Sequence, residues 1–210
     1  MTTDIQTEIN TLRDRINADA MRLAELQKSL PPVVVADYEL MTTDGPVKLS
    51  EFFQGRDDLI VIHNMGRSCT FCTLWADGFN GIESHVHDRA ALLLVSADPA
   101  EEAESFANER GWLFAVASGH GSTFTKDMGF ETDGNPGPGV STFHRNEDGT
   151  IVRIAQDEFG PGDLYCGIWH LFARLKDGIN NWSPKEHYAH DEAEADDSTQ
   201  GCGSGCGCHH

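Results

Sequence analysis

The sequence predicts an α/β fold: a mixed central sheet flanked by helices, with a helical arm before it and a tail after it. Three observations predict this. Strand-sized apolar runs alternate with helix-period segments from Leu59 to Arg110, the pattern of parallel strands joined by crossover helices. Two further strand-like runs, 140–144 and 151–154, flank Glu147-Asp148-Gly149 and read as an antiparallel hairpin, so the sheet must be mixed. The 210 residues allow one good core with extensions rather than two full domains.

Each element has its own signal. In residues 4–30, Ile5, Ile9, Leu12, Ile16, Leu23, Leu26 and Leu30 recur at alternating fours and threes, with Asp19 in the missing slot. That narrow seam predicts a helix, capped by Thr3 or Asp4 and stopped by Pro31-Pro32. It suits a coiled coil, hence a homodimer through this helix, or an arm lying on its own domain. Val33-Val34-Val35 and Tyr38-Glu39-Leu40 read as strand, Asp44-Gly45 as a turn, and 47–53 as a short element ending at Gly55. Leu59-Ile60-Val61-Ile62 is a continuous apolar run, the mark of a strand buried on both faces. Cys72, Trp75, Phe79, Ile82 and Val86 then follow at helical spacing, with Gly78 and Gly81 as points of kinking. Residues 92–95 form a second buried strand, and Asp98-Pro99 caps and opens a helix that Gly111 closes. Strand is expected at 112–116, a short helix at most at 124–128, an irregular loop at 133–139 and a last helix at 163–175. The expected organisation is an arm (1–30), a domain (31–184) and an acidic, glycine-rich, disordered tail (185–210).

Charge excludes some partners. Fifteen Lys and Arg stand against 34 Asp and Glu, a formal charge of −19. Tracking nucleic-acid phosphates needs a basic surface, and so does docking on an anionic membrane. No nucleic acid and no membrane are therefore expected as partners. Residues 1–30 have no apolar run of export-signal length, and the best apolar run, 90–95, is only strand-sized. The expected location is the cytoplasm, where thiols stay reduced unless they are catalytic or metal-bound.

Six cysteines in that setting read as chemistry before staples. Cys69 and Cys72 form a C-x-x-C between a buried strand and a helix, and with the strand–helix order this predicts a thioredoxin-like fold. At a helix N-terminus, unpaired N–H groups and the helix dipole stabilise a thiolate at Cys69, and Arg67 adds a nearby positive charge. Cys72, one turn on, is placed to resolve a mixed disulfide. His63, at the end of the strand, is a candidate base for Cys72 or a metal ligand; the plainer alternative is a satisfied histidine at a strand end. His85 and His87 read as solvated, Cys166 and Trp75 as core.

The runs Leu30–Tyr38, Leu49–Arg56, Leu59–Met65 and Cys69–Phe79 resemble one family, the thioredoxin-like group catalogued as domain of unknown function 899. Gly111-Trp112, Ser141-Thr142-Phe143 and Asp148-Gly149 resemble it too, and Trp75-Ala76-Asp77-Gly78-Phe79 is the most specific stretch. The resemblance implies a thioredoxin-like fold and no particular substrate. Three departures are visible. The loop between Met65 and Cys69 is short for the family, and the Cys/His-rich tail is foreign to it. Ser141 falls where thioredoxins carry a cis-proline that keeps metal from the thiols. No Pro-x-x-x-Thr-x-x-Cys run precedes either cysteine, which speaks against a peroxidase.

Cys202, Cys206, Cys208 and His209 are spaced by glycine, so the chain can fold round a zinc or copper(I) ion. Two functions are thus expected. One is a thiol–disulfide oxidoreductase using Cys69, Cys72 and Arg67 on protein or small-molecule thiols and disulfides, with no cofactor required. The other is a copper(I)- or zinc-handling protein using Cys69, Cys72, His63, Cys202, Cys206, Cys208 and His209.

Overall fold

The computed structural model describes residues 2–188. The tail cysteines and His209 lie outside the described residues. The chain opens with α1 (Thr2–Ser29), then β1 (Val33–Val35) and the hairpin β2 (Glu39–Thr42) and β3 (Gly45–Lys48). A 3₁₀ turn, Leu49–Phe53, leads into β4 (Asp58–Asn64), α2 (Thr70–Asn80), α3 (Glu83–Arg89) and β5 (Ala91–Ser96). Then come α4 (Ala100–Arg110), β6 (Ala115–Ser118), α5 (Phe124–Asp127) and a small hairpin of β7 (Glu131–Thr132) and β8 (Asn135–Pro136). The chain finishes with β9 (Gly139–Arg145), β10 (Ile151–Glu158) and α6 (Gly167–Phe172).

Eight strands form one sheet in the order β1-β10-β9-β4-β5-β6-β2-β3. Parallel pairing joins β4 to β5 and β5 to β6, while β9 lies antiparallel to β4 and β10. The mixed sheet the sequence predicts is therefore present. The two crossovers step in the same direction, and right-handed connections then place α2, α3 and α4 on one face. The core confirms it: Trp75 and Ala76 of α2 and Phe106 and Ala107 of α4 pack with Ile62, Leu92 and Leu94. The 3₁₀ turn and α5 cover the opposite face, where Phe53, Phe124 and Phe143 meet Leu59, Val61 and Leu93. Alternation along β4 sends successive side chains to opposite cores. Among the described residues no helix is long and apolar enough to cross a membrane.

Five local expectations shift. The stretch expected as an irregular loop at 133–139 carries β8, paired with β7 around Asp133-Gly134, and the first residue of β9. The long helix after Cys69 ends at Asn80 and restarts at Glu83, with Gly81 and Ile82 at the break. The strand expected at 112–116 runs Ala115–Ser118, because Trp112 and Phe114 turn under α4, Trp112 meeting Phe106 edge-on at 5.5 Å. The last helix is only Gly167–Phe172. Asp163 does not start it; its carboxylate accepts the N–H groups of Gly160, Tyr165 and Cys166 and holds a tight turn instead. Finally, α4 starts at Ala100 with Pro99 in the cap position and no side-chain cap, so Asp98 is free for another task.

Candidate functional site: the thiol pair

The pair sits where β4 delivers the chain to α2. Asn64, the last residue of β4, is buried, and its side-chain oxygen accepts the Gly66 N–H at 2.7 Å. Gly66 has φ +102°, a conformation side-chain-bearing residues seldom adopt, and a Cβ there would collide with the Asp98 carboxylate. Asp98 Oδ2 in turn accepts the Arg67 N–H at 2.6 Å, and the Gly66 carbonyl accepts the Cys69 N–H at 3.1 Å. Asp98 is held as well: its own N–H reaches Ser96 Oγ at 3.1 Å. A short loop is thereby pinned from two parallel strands. The sequence reading missed this function of Asp98, since Asp-Pro before a helix looks like a cap; only the adjacency of β4 and β5 reveals it.

Cys69 is the N-cap of α2, and its sulfur accepts the Cys72 N–H at 3.1 Å. Its thiol is lowered to about 7, chiefly by the Cys72 thiol donating to it, helped by the backbone N–H groups of Cys72 and Phe71 and opposed by burial. Cys72 is buried and its thiol is pushed up, because it is the donor to Cys69, because it is desolvated, and because a thiolate lies beside it. The partly exposed sulfur is thus the acidic one. Cys69, Cys72 and Cys166 are all free thiols, and burial also raises Cys166.

This division predicts selective chemistry. Limiting iodoacetamide should alkylate Cys69 first, with a rate that rises with pH and is half-maximal near pH 7. Peptide mass mapping of the reduced protein checks it, and earlier labelling of Cys72 or Cys166 overturns it.

The Arg67 side chain has other partners. Its guanidinium lies over the Phe106 ring, 4.9 Å from the centroid, and pairs with Glu109 at 3.2 Å and Glu186 at 3.4 Å. The Cys72 thiol, and after it the amide N–H groups at the helix start, lower Cys69. His63 is not brought to the pair. It is 1 % exposed and points into the opposite core, stacked on Phe130 at 3.9 Å, with Nε2 3.0 Å from Ser141 Oγ. The sheet separates it from α2. Ser141 shares that face, mid-strand opposite Val61, so it does not occupy a place beside the thiols. Among the described residues no three His, Cys, Asp or Glu side chains gather as a metal would need.

The Trp75-Ala76-Asp77 stretch has a structural logic. Trp75 Nε1 donates to Asp163 at 2.8 Å, Ala76 is small enough to lie flat on the sheet, and Asp77 accepts from Trp112 Nε1 at 2.9 Å and pairs with Arg110. One turn of α2 therefore ties the thiol helix to the C-terminal segment, the sheet and α4.

The family model described as a bacterial protein of unknown function, DUF899, matches residues 6–192. The chain belongs to this family. Among solved structures, DUF899 as seen here is similar to reduced Prx3 from Vibrio vulnificus, with TM-score 0.53 at 12 % identity over 63 % of this chain and 88 % of that one. Prx3 from the same organism in complex with hydrogen peroxide gives TM-score 0.52 at 13 % identity, over 62 % and 88 %. Peroxidoxin BcpB from Mycobacterium tuberculosis gives 22 % identity and TM-score 0.49, over 60 % and 84 %. No curated protein matches the chain. The fold is thioredoxin/peroxiredoxin-like, as the sequence predicts.

Proposed function

We propose that this DUF899 protein is a thiol–disulfide oxidoreductase acting on protein or small-molecule disulfides, with Cys69 as nucleophile and Cys72 as resolving thiol. One observation carries the reading: the pair is split into a lowered, accessible thiol at a helix N-cap and a raised, buried thiol one turn on. The Cys69 thiolate attacks one sulfur of the substrate disulfide, forming a mixed disulfide and releasing one substrate thiolate. Cys69 is then neutral, so the charge and the acceptor that held the Cys72 proton in place are gone. Cys72 loses that proton to solvent and attacks the Cys69 sulfur. The second substrate thiolate leaves and the Cys69–Cys72 disulfide remains. Two electrons pass from the pair to the substrate, and an external dithiol returns them. No cofactor enters the step.

The cytoplasm is the compartment this reading favours, because the resting pair must be reduced. A homodimer through α1 belongs to the same proposal, supported by the exposed seam of that helix. The copper(I) or zinc proposal keeps only the pair itself among the described residues, since His63 faces the other core.

The test is a redox titration of the reduced protein against glutathione buffers. One reversible disulfide per chain should form, mapped by peptide mass to Cys69 and Cys72, together with turnover of a model disulfide. A pair that never oxidises across the accessible range overturns the proposal.

A further inference from the structure

The helix α1 presents its apolar seam to solvent. Ile5 is 59 %, Leu12 49 %, Ile16 60 % and Leu26 48 % exposed. In heptad terms Ile9, Ile16 and Leu23 take the a positions, and Ile5, Leu12, Asp19 and Leu26 the d positions. The helix is partly covered only at Ala20 and Gln27, and Gln27 Nε2 reaches the Gln156 carbonyl and Asp157, both at 3.3 Å. Both covered residues are e positions, so α1 rests on its domain by its flank and turns the a/d seam away. Solvent is a poor neighbour for such a stripe, and a strict a/d pattern fits another helix of the same repeat better than a broad groove.

We infer that two copies pair through α1 as a parallel, in-register coiled coil, set by Glu8 of each helix meeting Arg13 of the partner subunit. This rests on the homodimer proposal above and adds its geometry. In a parallel pair a g residue faces the e residue five positions on in the other helix, so Glu8 faces Arg13 twice, with opposite charge each time. The fully overlapped antiparallel pair is worse on two counts. It sets Arg15 against Arg22 of the partner subunit, like charge on like, and it presses each Asp19 carboxylate on Ile16 of the partner subunit. The parallel pair instead stacks Asp19 on its own counterpart. Each Asp19 keeps the guanidinium of Arg15 on its own helix, Nε to Oδ2 3.4 Å, which offsets the repulsion. A single polar layer of this kind fixes register at a cost in stability.

Sedimentation of the full chain under reducing conditions, over a range of concentrations, tests both levels. The wild type should be dimeric at micromolar concentration, and Ile16→Asp should be monomeric. Glu8→Arg and Arg13→Glu should each weaken dimerisation about tenfold, from two pairs turned repulsive. The double reversal should restore it. A wild type that stays monomeric overturns pairing altogether. A dimer that ignores the single reversals, or that the double reversal does not rescue, overturns the parallel register alone. Disulfide reduction by the same variants keeps either failure apart from failure of the redox proposal.

Discussion

Cys69→Ser should reduce a model disulfide no faster than the uncatalysed rate, whereas Cys72→Ser should stop after one event and accumulate as a mixed disulfide. The two losses look alike in a turnover assay and differ by mass spectrometry. The difference follows from the site's asymmetry. A serine at position 69 has no thiolate, and the buried, raised thiol of Cys72 cannot replace it near neutral pH. A serine at position 72 leaves a competent nucleophile with nothing to release its product. With Cys72→Ala in its place, the thiol at position 69 should titrate higher than in the wild type, because the donor that lowers it most is the Cys72 thiol. Mixed disulfide accumulating on Cys69→Ser in place of Cys72→Ser would reverse the assignment.

The second large effect is on stability and comes from His63. Burial pushes this imidazole down to about 3, with the charge of Arg153 adding to the shift, and Nδ1 is buried without a partner. In the unfolded chain the same ring titrates near its ordinary value of 6.5. Between those values the unfolded state binds a proton that the folded state refuses. Stability from this group is thus complete above about pH 6.5 and falls as the pH drops toward 3, by about 1.4 kcal/mol per pH unit. Urea unfolding of the reduced protein at pH 7 and pH 5 should show that loss. His63→Phe should show a smaller loss over the same interval, whatever its stability at pH 7. The comparison isolates the imidazole, because Asp58 and other paired carboxylates are common to both proteins. Equal losses in the two proteins would show that His63 is not the group responsible.

Much of this was legible in the chain. The run Leu59-Ile60-Val61-Ile62, the C-x-x-C after it and the Glu147-Asp148-Gly149 turn fix a parallel half, a site and an antiparallel half by local signals alone. Gly111 closes α4 in the left-handed conformation, as its position suggests. What local signals cannot carry is which side of the sheet a strand-end residue faces and what a neighbouring strand brings. His63 lies close in sequence to Cys69, yet alternation along β4 sends it with Val61 into the core away from α2. Arg67 is nearer still, and two carboxylates distant in sequence take its charge. Asp98 is the converse: remote in sequence, adjacent in space, and misread as a cap for that reason.

The Asp98 anchor means that Cys69 is surveyed from the sheet as well as from the helix it begins. Gly66 and Arg67 are fastened to the ends of two parallel strands, and Cys69 hangs from Gly66. In the proposed assignment the attacking thiol stands where that loop ends, and the resolving thiol stands one turn into the helix. A Cys69–Cys72 disulfide would therefore join the helix directly to a loop that the sheet already holds.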